Sequence, residues 1–265
     1  AAYTNQKGLN ILDLKTFTGT CAVKAVAGSP ASPAVWSPDS RKLMYALEHE
    51  WYSDFFVYDL ATGKSTPFPF NNIKNFLSYP VAWLKSGEIL FVVSSFQAKD
   101  GSREYTSAGY RSNLMLAGQD GNFRQLTDMD DFNYIEYAGM TQEEDEVLVI
   151  IRNKSEDTRQ PALIGPGEKT SVEYLPGDGQ TVSAGISPDG RFIVKTGRPD
   201  KAAKGYIIEI LDREADEVIF RFVSSDYTAD KTFLWHPKSR KLLYMDKSLE
   251  NADANKLRQV IILPK

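Results

Sequence analysis

A five-residue stretch returns along this chain. Trp36–Ser40 reads WSPDS, Ile186–Gly190 reads ISPDG and Trp235–Ser239 reads WHPKS. Aligned on the residue before the turn, the anchors are Trp36, Trp83, Met140, Ile186 and Trp235, with steps of 47, 57, 46 and 49 residues. A period of that size rules out ankyrin and tetratricopeptide units, which are shorter, and makes the repeat the first constraint on the fold.

The flanks repeat as well. Each anchor ends a short apolar run: PAVW, YPVAW, YAGM, SAGI and TFLW. A polar turn and a second run follow: KLMYALE, EILFVVSS, EVLVIIR, FIVKTG and KLLYMD. After a loop comes a third run: FFVYDL, NLMLAG, PALIGPG, YIIEIL and QVIILP. Four of the five repeats add a fourth: STPFPF, FRQLT, SVEYL and VIFRF. Short β-branched and aromatic runs bounded by Gly, Pro, Asp and Asn are strands, and no stretch sustains helical periodicity. Each repeat is therefore a four-stranded meander, a–b–c–d.

One such sheet cannot bury both of its faces. Radial stacking buries both and leaves only short edges, so the expected fold is all-β, a β-propeller of four-stranded blades. A β-sandwich would not require the same turn at the same place in every repeat. In SPDG the proline presets φ at the second turn position and glycine takes the position that often needs a positive φ. Ser40 and Ser239 stand where glycine would be, so a left-handed residue there costs about 1 kcal/mol. The bulky residue before the turn is expected to pack between neighbouring blades.

The stretches VWSPDSRKLMYALE…SDFFVYDLATGKSTPF and GISPDGRFIVKTG…YIIEILD resemble the WD40-like PD40 repeat of TolB-type propellers, and related repeats occur in the propellers of the prolyl oligopeptidase family. The resemblance runs over nearly the whole chain and is poorest in the third repeat, where MTQEEDEV has lost Ser-Pro-Asp-Gly. It specifies architecture well and activity hardly at all. It implies six blades, a periplasmic or cell-surface setting, and a partner docked at the propeller mouth.

At both ends of the chain the repeat is incomplete. LNILDL (Leu9–Leu14) reads as a c strand and CAVKAV (Cys21–Val26) as its d strand, whereas the last repeat stops after c. One domain, 1–265, is expected, with repeats at about 1–30 (partial), 31–78, 79–134, 135–180, 181–228 and 229–265. N-terminal strands would help to close a ring of six blades, although repeats of this length also suit five. The start at Ala1-Ala2-Tyr3 reads as a mature end after signal cleavage.

In a meander of this kind the a–b and c–d turns share one end, and the b–c and d–a loops share the other. The a–b turns are short and alike. The b–c loops, Glu48–Asp54, Ser95–Ser112, Arg152–Gln160, Gly197–Gly205 and Asp246–Lys256, differ in length and chemistry. Variable loops on a rigid scaffold are where binding concentrates. Tyr, Trp and Arg anchor interfaces best, because they bring area with a polar handle. The candidate partner-binding residues are Glu48, His49, Trp51, Tyr52, Arg103, Tyr105, Tyr110, Arg111, Arg152, Arg159 and Arg198.

Chemistry finds less support. There is no Gly-x-Ser-x-Gly elbow. Of the two histidines, His49 lies in a b–c loop and His236 in an a–b turn at the opposite end; a His49–Glu48 acid/base pair is the one candidate. Cys21 is the only cysteine, which excludes a disulfide framework and a cysteine zinc site. Asp128, Asp130 and Asp131 open like a calcium loop, but its sixth position is Asn133 and its twelfth is Gly139. Glu143–Glu146 reads as a solvated acidic tip. No metal, cofactor or catalytic set is expected. The net charge of −4 argues against nucleic acid, and no apolar run is long enough for membrane insertion.

The leading expectation is a non-catalytic, TolB-like scaffold that binds a protein or peptide through its b–c face. The alternatives are a propeller enzyme or binder of a small ligand, such as a glycan or lactone, in the central channel, and a structural subunit of a larger cell-surface complex.

Overall fold

The structure is a computed structural model. It describes residues 2–263 apart from 6–7, 14, 17, 25–28, 30, 33, 50–51, 70–75, 97–109, 130–132, 142, 145, 154, 166–171, 176–180, 199–204, 225–226, 237–239 and 249–255. The described residues hold twenty-two strands, β1 to β22, and no α-helix. Two compact units divide the chain, Ala1–Tyr134 and Ile135–Lys265.

In the first unit, β1 (Ala2–Asn5), β2 (Gly8–Asp13) and β3 (Thr18–Lys24) form a three-stranded sheet. The second sheet is β4 (Val35–Trp36), β5 (Lys42–Glu48), β6 (Ser53–Asp59) and β7 (Lys64–Pro67). The third is β8 (Phe76–Trp83), β9 (Ile89–Phe96), β10 (Tyr110–Ala117) and β11 (Phe123–Gln125). The fourth sheet is β12 (Asn133–Met140), β13 (Val147–Asn153), β14 (Thr158–Ile164) and β15 (Val172–Tyr174). The fifth is β16 (Thr181–Ile186), β17 (Phe192–Gly197), β18 (Tyr206–Asp212) and β19 (Glu217–Ser224). The sixth has three strands, β20 (Tyr227–Trp235), β21 (Lys241–Ser248) and β22 (Lys256–Ile261). Every sheet pairs consecutive strands in order, so each is a meander. The N-terminal strands pair among themselves, and one of them, β1, precedes the runs that the repeat pattern identified.

Both faces of β5 and of β17 are apolar because the second and fifth sheets each pack against a neighbour on both sides. Along β5, Leu43 and Tyr45 pack with Leu9 of the first sheet. Met44 and Ala46, one residue out of phase, pack with Ile89, Phe91 and Val93 of the third. This is the period-2 alternation of a strand put to use twice. In the second unit, Leu148 and Ile150 meet Ala184 and Ile193 between the fourth and fifth sheets. Phe192 and Val194 meet Leu242 and Tyr244 between the fifth and sixth. Each of the Leu, Ile, Val, Met and Phe side chains among these contributes about 1.5–3 kcal/mol by leaving water.

Four of the five anchor residues pack as expected. Trp36, Trp83, Ile186 and Trp235 each lie partly buried against one of these inter-sheet clusters. After Trp36, Trp83, Met140 and Ile186 comes the same turn. The N–H of Ser40 donates to Ser37 O at 2.8 Å, Gly87 to Leu84 O at 2.9 Å, Glu144 to Thr141 O at 3.2 Å and Gly190 to Ser187 O at 2.9 Å. All four donors have positive φ. The third repeat keeps the turn without the motif: Thr141 Oγ1 accepts from Glu146 N at 3.3 Å, as Ser37 Oγ does from Lys42 N at 2.9 Å. Ser40 sits at φ 56°, so Ser40→Gly is expected to add about 0.5–1 kcal/mol, the left-handed cost less the entropy glycine loses. Urea unfolding of the two proteins checks this.

Candidate functional site

The b–c end of the second sheet is the best-defined part of the expected binding face. Its loop is short because His49 N–H donates to Tyr52 O at 2.8 Å, closing a tight turn between β5 and β6. The His49 imidazole bridges two segments. Nε2 lies 3.0 Å from Asp54 Oδ2 and Nδ1 lies 2.9 Å from Ser29 Oγ. A carboxylate on Nε2 holds the ring proton there, so Nδ1 accepts from the Ser29 hydroxyl. Ser29 belongs to the connection between β3 and β4, which is stitched to β5 through Ser32 N–H to Ala46 O at 2.8 Å. Thus a d–a connection and a b–c loop meet at one end, as the repeat pattern predicted.

Tyr52 is the exposed feature of this turn. Its ring stacks on His49 with centroids 4.3 Å apart, and it remains 40% exposed. The carboxylate on His49 is that of Asp54, not of Glu48, the one acid/base candidate that the sequence offered. Glu48 is half-buried, and burial raises its carboxyl above the ordinary value.

A Ser–His–Asp series invites comparison with a hydrolase triad. There, however, the nucleophile bonds Nε2 and the carboxylate holds Nδ1. Here the order is reversed, and Ser29 is only 6% exposed. The series is built as a brace for the loop.

The remaining candidates divide. Arg152 and Arg159 lie at the ends of β13 and β14, directly opposite each other, and not in a long loop. Asn153 Oδ1 caps a tight turn by accepting from Ser155 N at 2.9 Å. Both guanidinium groups are spent on Glu136: Arg159 Nε at 2.7 Å and Arg152 Nη1 at 3.2 Å, with Asp157 3.1 Å from Arg152 Nη2. Two like charges face each other there because one carboxylate serves both. Tyr110 and Arg111 belong to β10, opposite Phe96 and Ser95, because that strand runs further than its apolar core suggested. Arg198 is exposed just after β17. Trp51, Arg103, Tyr105, Asp130 and Asp131 lie outside the described residues. Among the described residues no group of three or more His, Cys, Asp or Glu is placed to hold a metal ion.

The other end of the second unit carries a polar cleft of about 490 Å³ between the fourth and fifth sheets, lined by Glu146, Glu173, Asp189, Arg191, Arg213 and Glu214 among others. Arg213 grips Glu146 with both nitrogens, at 2.6 and 2.8 Å. Arg191 does the same to buried Asp212, at 3.1 and 2.7 Å, and those bonds hold the Asp212 carboxyl below its ordinary value. The expected solvated tip at Glu143–Glu146 is therefore corrected at Glu146, which is half-buried in an ion pair.

Neither a protein-family model nor a curated protein matches the chain. Solved structures do. TolB from Acinetobacter baumannii superposes with a TM-score of 0.64 at 15% identity, over 97% of this chain and 62% of that one. An oligogalacturonate lyase from Vibrio parahaemolyticus gives 0.65 at 12% identity, over 100% of this chain and 75% of that one. An oligogalacturonate lyase in complex with manganese gives 0.62 at 14% identity, over 98% and 72%. The fold is a β-propeller of four-stranded blades. Identities this low carry the fold and nothing finer, and the chain spans less than two thirds of the Acinetobacter TolB.

The propeller's site residues that sequence reading missed are Ser29 and Asp54 beside His49, Glu136 beneath the two arginines, and the Glu146–Arg213 clamp. Asp54 is the second residue of β6, and Ser29 sits in a Gly-Ser-Pro connection. A serine in the d–a connection, which shares an end with the b–c loop, was the one available signal. No helix among the described residues is long and apolar enough to cross a membrane.

Proposed function

We propose that this propeller is a non-catalytic scaffold that binds a protein or peptide partner at the b–c end, with Tyr52 as an anchor. One observation carries the reading: an exposed tyrosine is held ready by a stacked histidine that is itself fixed by two side-chain hydrogen bonds. An anchor ordered before binding loses little entropy on association, and tyrosine is among the residues that dominate interfaces. A periplasmic or cell-surface setting goes with this reading, since the repeat resembles that of TolB-type propellers.

Affinity capture from an envelope fraction tests it. Tyr52→Ala is expected to weaken capture about tenfold, or 1.4 kcal/mol, with the thermal midpoint little changed because His49, the ring it stacks on, keeps its bonds to Ser29 and Asp54. Capture unchanged by Tyr52→Ala would falsify the assignment.

A second reading, a small-ligand binder or enzyme, draws on the likeness to the oligogalacturonate lyases and on the polar cleft of about 490 Å³ in the second unit. Calorimetric titration with manganese separates the two: stoichiometric binding would favour the second.

A further inference from the structure

The turn that presents Tyr52 carries charge of one sign. The stretch Glu48–Asp54 holds three carboxylates, Glu48, Glu50 and Asp54, and no lysine or arginine. Asp54 stands two residues beyond Tyr52. Its Oδ2 holds His49 Nε2 at 3.0 Å, and its Oδ1 has no partner among the described residues. The Asp54 side chain is 36% exposed, so an incoming group can reach it. Glu48 ends β5 half-buried, and among the described residues no lysine or arginine pairs with it or with Asp54.

The ring itself selects in the same direction. His49 covers one face of Tyr52, with 24° between the two planes, and an incoming group meets the side left uncovered. The face of a tyrosine attracts cations through its quadrupole. A guanidinium is flat and weakly hydrated, so it lies on such a face better than an ammonium does, and it keeps N–H groups free for a carboxylate. Unpaired carboxylates beside the ring raise the local concentration of cationic groups and oppose anionic ones. Ring and field therefore favour the same kind of partner, a basic one.

We propose that the partner segment docking on Tyr52 is basic and arginine-bearing, with one guanidinium laid on the uncovered face of Tyr52 and a second cationic side chain on Asp54 Oδ1. The inference rests on the reading of Tyr52 as an anchor and names the chemistry of what it anchors.

The probe is a short fluorescent peptide in which Arg and Gly alternate, and the control is the same peptide with Lys in place of Arg. Saturable binding of the arginine peptide supports the proposal when it is at least about twofold tighter than that of the lysine peptide. Tyr52→Ala should weaken it about fivefold and Asp54→Asn about threefold. The asparagine amide oxygen still accepts from His49 Nε2, so the second loss reads the charge and not a loosened ring. The arginine peptide should also displace the natural partner in affinity capture. No binding, equal binding of the two peptides, or binding that either variant leaves unchanged overturns the proposal. Capture that Tyr52→Ala weakens but the arginine peptide does not displace also overturns it, and leaves Tyr52 an anchor for a segment of other chemistry. Capture unchanged by Tyr52→Ala removes the anchor itself, and this proposal with it.

Discussion

Replacing Phe91 by alanine is expected to destabilise the first unit by about 3–5 kcal/mol, the largest single effect predicted here. Phe91 is fully buried on β9. It meets Phe55 edge to face at 5.0 Å between centroids and Phe68 at 6.2 Å. Those partners come from the c strand and the d-strand end of the second sheet, so the ring joins two sheets. Removing it costs the transfer energy of the ring and opens a cavity that three strands from two sheets must collapse together to fill. Phe91→Leu keeps most of the volume and is expected to cost less than half as much. Urea unfolding followed by tryptophan fluorescence measures both. A loss below about 1.5 kcal/mol for the alanine variant, the range of volume-conserving swaps, would mean that the sheets do not depend on this contact.

Arg213 and Glu146 carry the second largest effect. The pair fastens a c–d turn of the fifth sheet to an a–b turn of the fourth, and Arg213 also donates to Gly190 O at 2.8 Å. The two side chains are 24% and 26% exposed, so solvent screens the bidentate bond only in part. Arg213→Ala is expected to cost about 2 kcal/mol, the range for hydrogen bonds to charged groups. Glu146→Ala should cost a similar amount, although Thr141 still holds the turn through the Glu146 backbone. The double variant should cost little more than either alone. An ordinary surface pair would give at most about 1 kcal/mol of coupling, so a double-mutant cycle with additive losses contradicts the clamp.

The architecture was legible because it is written in local terms. KLMYAL alternates, yet both of its phases are apolar, and only a strand covered on both faces requires that. The turn survived in the third repeat because its geometry needs tolerance of positive φ at the fourth position and, in three of the four described turns, is braced by a hydroxyl at the first. Thr141 and Glu144 supply these without the Ser-Pro-Asp-Gly spelling. Contacts across sheets were not legible. His49 meets Ser29 across twenty residues of chain, and Arg213 meets Glu146 across sixty-seven; no pattern within a repeat ties such pairs together. The contacts of two arginines were hidden for a related reason. Arg152 and Arg159 look like free cations in a loop until Glu136, on a neighbouring strand, is placed between them.

The proposed binding face is the b–c end. Its most direct test is site-specific photo-crosslinking in the native envelope, with a benzophenone side chain placed at position 52 or at position 123. Phe123 is 51% exposed on β11, a d strand, and it follows a c–d turn at the opposite end of its sheet from the b–c loops. The account predicts a discrete partner adduct from position 52 and none from position 123. An adduct from 123 with none from 52 would place the partner at the other end and contradict it.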